Sequence, residues 1–163
     1  MGDRGVIVVC AREGWFAYTD RPNEIFIAPH IYVHWHGHKS AIQKLLEESW
    51  GFVKRLQQSD PRWRQDFFIA DPSMIASLIT HVAWKLGYNP EIHQMVTPYP
   101  DRPPYIVITT TEGWYVTGGD FNPKYEEIYA IPSMKAVEVI KHEYLFALVD
   151  EVVEALKDVY PHL

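Results

Sequence analysis

Tyr105-Ile106-Val107-Ile108-Thr109-Thr110-Thr111-Glu112-Gly113-Trp114-Tyr115-Val116-Thr117 sets the architecture of this chain. Two runs rich in β-branched and aromatic residues, the types that fit a pleated surface, flank a Glu-Gly pair. The spacing predicts a hairpin, with Tyr105 to Thr111 and Trp114 to Thr117 as strands and Glu112-Gly113 as the turn. Tyr125 to Ile131 reads as a third strand, so residues 105–132 form a meander ending at Pro132.

A similar pattern stands near the start. Ile7-Val8-Val9, Glu13-Gly14-Trp15-Phe16, Glu24-Ile25-Phe26 and Pro29 match Ile106-Val107-Ile108, Glu112-Gly113-Trp114-Tyr115, Glu127-Ile128-Tyr129 and Pro132. Residues 5–29 are therefore expected to be a second copy of the meander, with Trp15 and Trp114 in equivalent places. Between the copies lie two helical patterns. The first opens at Ser40, with Gln43 placed for a capping box, and carries Ile42, Leu45, Leu46, Val53 and Leu56 on one face. The second has Asp71 as N-cap, Pro72 as first residue, a stripe of Ile75, Leu78, Ile79, Val82 and Leu86, and Gly87 and Pro90 as its stop. A strand over 91–97 and a Pro-rich loop over 98–104 lead into the hairpin, and a long helix from about Ser133 to Tyr160 ends the chain. The expected fold is one α+β domain over 1–163, an antiparallel sheet or sheets built from two similar three-stranded meanders and packed by three main helices.

Composition narrows the function classes. At 163 residues and 47% hydrophobic content the chain can bury a core without disulfides or structural metal. Its formal charge of −6 speaks against nucleic acid or an anionic membrane as partner. Arg62-Trp63-Arg64 is too short a basic patch to change that, and reads as a solvated turn or short helix. Cys10 is the one cysteine and lies in an apolar strand, which excludes an intramolecular disulfide and a Cys-rich zinc site. With neither a signal-peptide stretch nor an apolar run of spanning length, the expected location is the cytoplasm.

The candidate site is a histidine ladder. His30, Tyr32, His34, His36 and His38 alternate strictly, so an extended segment would line one face with them. Ile31, Val33 and Trp35 would face the core. With a bend at Gly37, neutral imidazoles of His34, His36 and His38 could converge on zinc or another divalent transition metal, the basis for a metal-dependent hydrolase. The same face without metal could hold a small molecule or a host protein through stacking and hydrogen bonds. A half-exposed strand whose histidines simply face water accounts for the pattern as well. His81, His93 and His162 are isolated in sequence.

Two stretches resemble a family of small bacteriophage-type proteins that begin M-S-T-R-x-x-I and carry I-Y-C-H-W-D-G-Y-P-x-x-x-G-K-x-L. Met1, Arg4 and Ile7 match the opening; Ile31-Tyr32, His34-Trp35, Gly37, Lys44 and Leu46 match the signature. His36, His38 and Lys39 stand where the family has Asp, Tyr and Pro. The resemblance covers about the first third of the chain, implies a phage or mobile-element origin, and adds Arg4 to the candidate site. Such an origin implies an accessory protein of the host cytoplasm. It would bind a small ligand or host macromolecule through Arg4, Tyr32, His34, His36 and His38, as an inhibitor or sequestering protein.

Overall fold

Two almost wholly apolar strands, β1 (Gly5–Arg12) and β5 (Tyr105–Thr109), lie side by side and parallel at the centre of the sheet. Runs of this kind are buried on both faces, and here helices cover both. The computed structural model describes residues 3–93 and 101–160. Between the central strands the chain forms β2 (Ile25–Ile27), β3 (His30–Val33), α1 (Lys39–Ser59), α2 (Asp66–Ala70), α3 (Pro72–Lys85) and β4 (Glu91–His93). After them come β6 (Trp114–Gly118), β7 (Tyr129–Ile131), β8 (Lys135–Ala136) and α4 (Glu143–Leu156). The fold is α+β: an eight-stranded, mostly antiparallel sheet ordered β4-β3-β1-β5-β6-β7-β8, with β2 also on β1. As expected, three main helices pack it.

Strand alternation divides the core. Ile7, Val9, Ile31, Val33, Val107 and Trp114 join the apolar faces of α1 and α3 on one side. Val6, Val8, Cys10, Tyr32, Ile106 and Ile108 join α4 on the other. α3 is built as its sequence requires: the Asp71 carboxylate accepts from the Ser73 N–H at 3.0 Å, and Pro72 occupies the first turn. α1 starts at Lys39 with His38 as its N-cap, so Ser40 falls inside the first turn and the expected capping box does not form; the Gln43 amide donates forward to Glu47 (2.8 Å).

The repeat is corrected by the structure. Residues 105–131 do form the meander, with β5, β6 and β7 antiparallel in turn. In the first segment the expected strand from Trp15 to Tyr18 is absent. Glu13–Trp15 is a 3-10 turn instead, and the chain returns to β1 only at β2, where Cys10 pairs with Ile27. Backbone bonds from Glu13 N–H to Glu24 (2.8 Å) and Gly14 N–H to Pro22 (2.9 Å) tie the two ends of this excursion. The two tryptophans part company: Trp114 is fully buried on the α1–α3 side, whereas Trp15 is half-buried on the α4 side.

β2 and β3 are halves of one edge along β1, joined through a bulge at Pro29. Ile27 pairs with Cys10 and Ile31 with Ile7, so Ala28, Pro29 and His30 oppose only Val9 and Val8. One extra residue on a strand reverses its alternation. That is why Ile25 and Ile27 share a face with His30 and Tyr32.

Two further expectations change. The last helix begins at Glu143, not near Ser133, because Met134 takes a positive φ of 55° and Val137 donates back to Ile128 (2.9 Å), pairing β8 with β7. The strand expected over 91–97 is present as β4; residues 94–97 and 98–100, like His162, lie outside the described residues.

Candidate functional site

The histidine segment does not stay extended. β3 ends at Val33, so the alternation holds for His30 and Tyr32 and stops there. His30 is buried at 4% exposure, with Nδ1 3.0 Å from the Tyr160 hydroxyl. Burial, then the neighbouring His93, holds its imidazole below the usual 6.5. Tyr32 shares that face, and its hydroxyl lies 2.9 Å from His34 Nδ1. Beyond it the chain bends toward α1 and each side chain finds a different neighbour. Trp35, expected in the core, is 53% exposed and stands edge-on to His34 at 4.6 Å. His36 stacks on Tyr88 (4.3 Å, 7°), a residue of the opposite core. His38 sits 2.5 Å from the Asp3 carboxylate.

His34, His36 and His38 are thus not brought together. Among the described residues no group of three His, Cys, Asp or Glu side chains could hold a metal ion. The cause is a backbone crossing: Gly37 passes so close to Arg4 and Gly5 that a Cβ would collide with their backbone. Its N–H donates to the Asp3 carbonyl (2.7 Å), and its carbonyl accepts from the Tyr105 hydroxyl (2.6 Å).

Around that crossing the charges are matched. Asp101 accepts from the Arg4 backbone N–H (2.8 Å) and guanidinium (3.0 Å). Arg102 pairs with Asp3, reaches Asp120 at 3.0 Å and donates to the Arg4 carbonyl (2.7 Å). Burial alone would raise the Asp3 carboxyl, but hydrogen bonds from Arg102 and His38 outweigh it and hold it below 3.8. This end of the sheet is a latch joining the N-terminal segment, the start of α1 and residues 101–120. One residue the sequence left isolated belongs here: β4 pairs with β3, so His93 lies opposite His30 and edge-on to Tyr32 at 5.9 Å.

The opposite end of the sheet is open. A cleft of about 1170 Å³ lies beyond the carboxyl ends of β1 and β5. In sheets with parallel neighbours this is where ligands enter, because the chain must leave both strands there and its loops diverge. The β1 excursion contributes Trp15 and Tyr18, α2 contributes Phe67, and the first turn of α4 contributes Tyr144. Trp15 meets Tyr144 edge-to-face (5.8 Å, 87°), and Tyr18, 94% exposed, meets Phe67 likewise (5.4 Å, 69°).

Each ring is held from behind. Gly14 lets the excursion close, since a Cβ there would stand 2.6 Å from Pro22 Cβ. Glu13 accepts from the Thr19 hydroxyl (3.3 Å) and faces Arg21 at 3.7 Å. α2 is pinned by Thr109, whose hydroxyl donates to Ala70 (2.6 Å), and by the Trp114 indole N–H, which donates to Ile69 (2.9 Å). Opposite them runs the β5–β6 turn, where the Thr110 hydroxyl accepts from Glu112 and Gly113 N–H groups (both 3.1 Å) and leaves the Glu112 side chain exposed at the rim. Burial first, then nearby groups including the Glu112 charge, raise the Tyr115 and Tyr144 hydroxyls above their usual 10.0.

Sequence reading missed this cleft because its rings come from segments far apart in the chain. The available signal was the pair of Glu-Gly-Trp turns, which the parallel register of β1 and β5 brings to one end of the sheet. Comparison with protein-family models, with curated proteins and with solved structures gave no match.

Proposed function

We propose that this protein is a binding protein whose ligand site is the aromatic cleft between the two Glu-Gly-Trp turns. The observation that carries this reading is the gathering of exposed and half-exposed aromatic rings around one opening, at one end of the sheet only. At the histidine end the side chains pack against one another, His30 with Tyr160, Tyr32 with His34, His38 with Asp3 and Arg4 with Asp101, while Arg4 Nε, His36 Nδ1 and His93 Nε2 stay buried without a hydrogen bond. At the cleft, four aromatic rings and a carboxylate line an opening of about 1170 Å³, roomy enough for a small ligand. Rigid rings with two side-chain torsions each supply contact area at low entropic cost, which suits recognition. Sequestration or inhibition, the roles implied by the family resemblance, would need no more than this.

A second reading keeps the notion of a face around Tyr32. Arg4 Nε and His93 Nε2 are buried without a hydrogen bond, and both neighbour Tyr32, Arg4 through its charge and His93 through its ring. Polar groups so placed suit a ligand that accepts hydrogen bonds.

Ligand-observed NMR with a library of ring-bearing fragments separates the two. Cleft binding is expected to vanish in Phe67→Ala and Tyr18→Ala and to persist in Trp35→Ala and His34→Ala. Hits that survive both cleft substitutions and disappear with His34→Ala would transfer the function to the Tyr32 face.

A further inference from the structure

Charge and ring geometry together narrow the occupant of the cleft. Aromatic faces carry negative quadrupole density, so several rings at different angles form a surface that attracts a cation without needing a full counter-charge. Trp15 stands nearly perpendicular to Tyr144, and Tyr18 at 69° to Phe67, which is how the walls of such a surface meet. The charged groups of the cleft are unequal. Lys141 and His142 also line the cleft; Lys141 has its own carboxylate partner in Glu138 at 3.4 Å, and His142 packs against Tyr115 and Tyr144. Arg21, the cation nearest Tyr18 in sequence, is divided between Glu13 (3.7 Å) and Glu24 (3.5 Å). Glu112 lines the cleft and, among the described residues, has no ion-pair partner. The chain as a whole carries a formal charge of −6, which draws cations toward it and repels anions.

We propose that the cleft binds a small organic cation, a quaternary or protonated amine, with Trp15, Tyr18, Phe67 and Tyr144 as its aromatic walls and Glu112 as its carboxylate. This rests on the cleft being the binding site. The chemistry differs from that of a neutral sugar or nucleobase, which would gain no charge–charge attraction from Glu112. An ammonium group gains from both: a ring face on each open side and one negative charge at the rim. Glu112 projects from a turn whose backbone is fixed by the Thr110 hydroxyl, so the charge is held at the mouth of the cleft.

Choline and 3,3-dimethylbutan-1-ol have nearly the same shape and differ in the positive charge, so isothermal titration of the full chain with each isolates the cation. The expected result is choline binding at least about tenfold tighter than the alcohol, weakened by added salt. Glu112→Gln should lower choline affinity several-fold and Glu112→Lys should abolish it, with thermal midpoints of both variants checked against the parent. Equal affinity for choline and the alcohol, both lost in Phe67→Ala, would overturn the cation assignment while leaving the cleft as the binding site. Choline binding unchanged in Phe67→Ala and Tyr18→Ala would overturn the cleft itself. No choline binding up to about 10 mM, the range of the weakest specific contacts, would overturn the proposal.

Discussion

Glu13-Gly14-Trp15 and Glu112-Gly113-Trp114 are the same three residues at the carboxyl ends of two adjacent parallel strands, and they fold differently. The second is a hairpin turn. Its Thr110 hydroxyl closes the turn, Trp114 enters β6, and the indole is buried with its N–H on Ile69. The first has Ala11 where the second has Thr110, so no hydroxyl closes it, and it coils into a 3-10 turn. Trp15 is left half-exposed beside Tyr144. One turn builds the core and offers its carboxylate; the other gives up a core position and offers its rings. The pair together makes the cleft, which neither makes alone.

The two turns should differ most at their tryptophans. Trp114→Ala removes a fully buried indole and should cost about 3–5 kcal/mol in urea unfolding. Trp15→Ala should cost roughly 1–2 kcal/mol, in line with partial burial, while weakening cleft binding strongly. Similar losses of stability would mean that both rings are core and that the first turn has been misplaced.

Gly14 gives the next effect. Gly14→Ala forces a Cβ against Pro22 and should destabilise by about 1–3 kcal/mol, read by thermal denaturation. Because the clash sits at the base of the excursion, Tyr18 should lose its contact with Phe67, and fragment binding should fall with stability.

A third measurement concerns the other end of the sheet. The His30 imidazole is held below its ordinary 6.5 by burial and by His93, so the folded protein resists the proton that the unfolded chain accepts. Its contribution to stability is full above about pH 6.5 and is lost as pH falls from there through the folded value. Urea midpoints measured across that range should decline toward acid, and His30→Gln should flatten the decline. A slope unchanged by the substitution would assign it to other groups.

The smallest difference lies between the glutamates. Glu13→Gln weakens the ties to Thr19 and Arg21 and should cost about 0.5–1 kcal/mol. Glu112→Gln should change stability by no more than about 0.5 kcal/mol, since its side chain is exposed and has no ion-pair partner among the described residues.

How far the chain could be read depends on the same contrasts. Short-range chemistry was legible: the Asp71 cap with Pro72, the 105–117 hairpin and the apolar stripes of α1 and α3 depend on neighbours within a few residues. Strand parity was legible up to Val33 and failed after it, because the bend at Trp35 comes from Gly37 crossing Gly5, a contact between distant segments. That failure moved Trp35 from expected core to surface and scattered His34, His36 and His38. The late start of α4 depends on β8 pairing back to β7, again a long-range choice that helical spacing cannot report. The cleft was illegible for the strongest reason: it requires the parallel register of β1 with β5, and nothing local encodes that register.

The most direct test uses two tryptophans as reporters, Trp15 in the cleft and Trp35 at the histidine end. Indole N–H signals, assigned by Trp→Phe substitution in ¹⁵N-labelled protein, can be followed while the tightest-binding ring fragment is added. If the cleft is the binding site, the Trp15 signal moves with saturation while Trp35 stays fixed. Movement of Trp35 with Trp15 unchanged would contradict this and place the binding site at the histidine end.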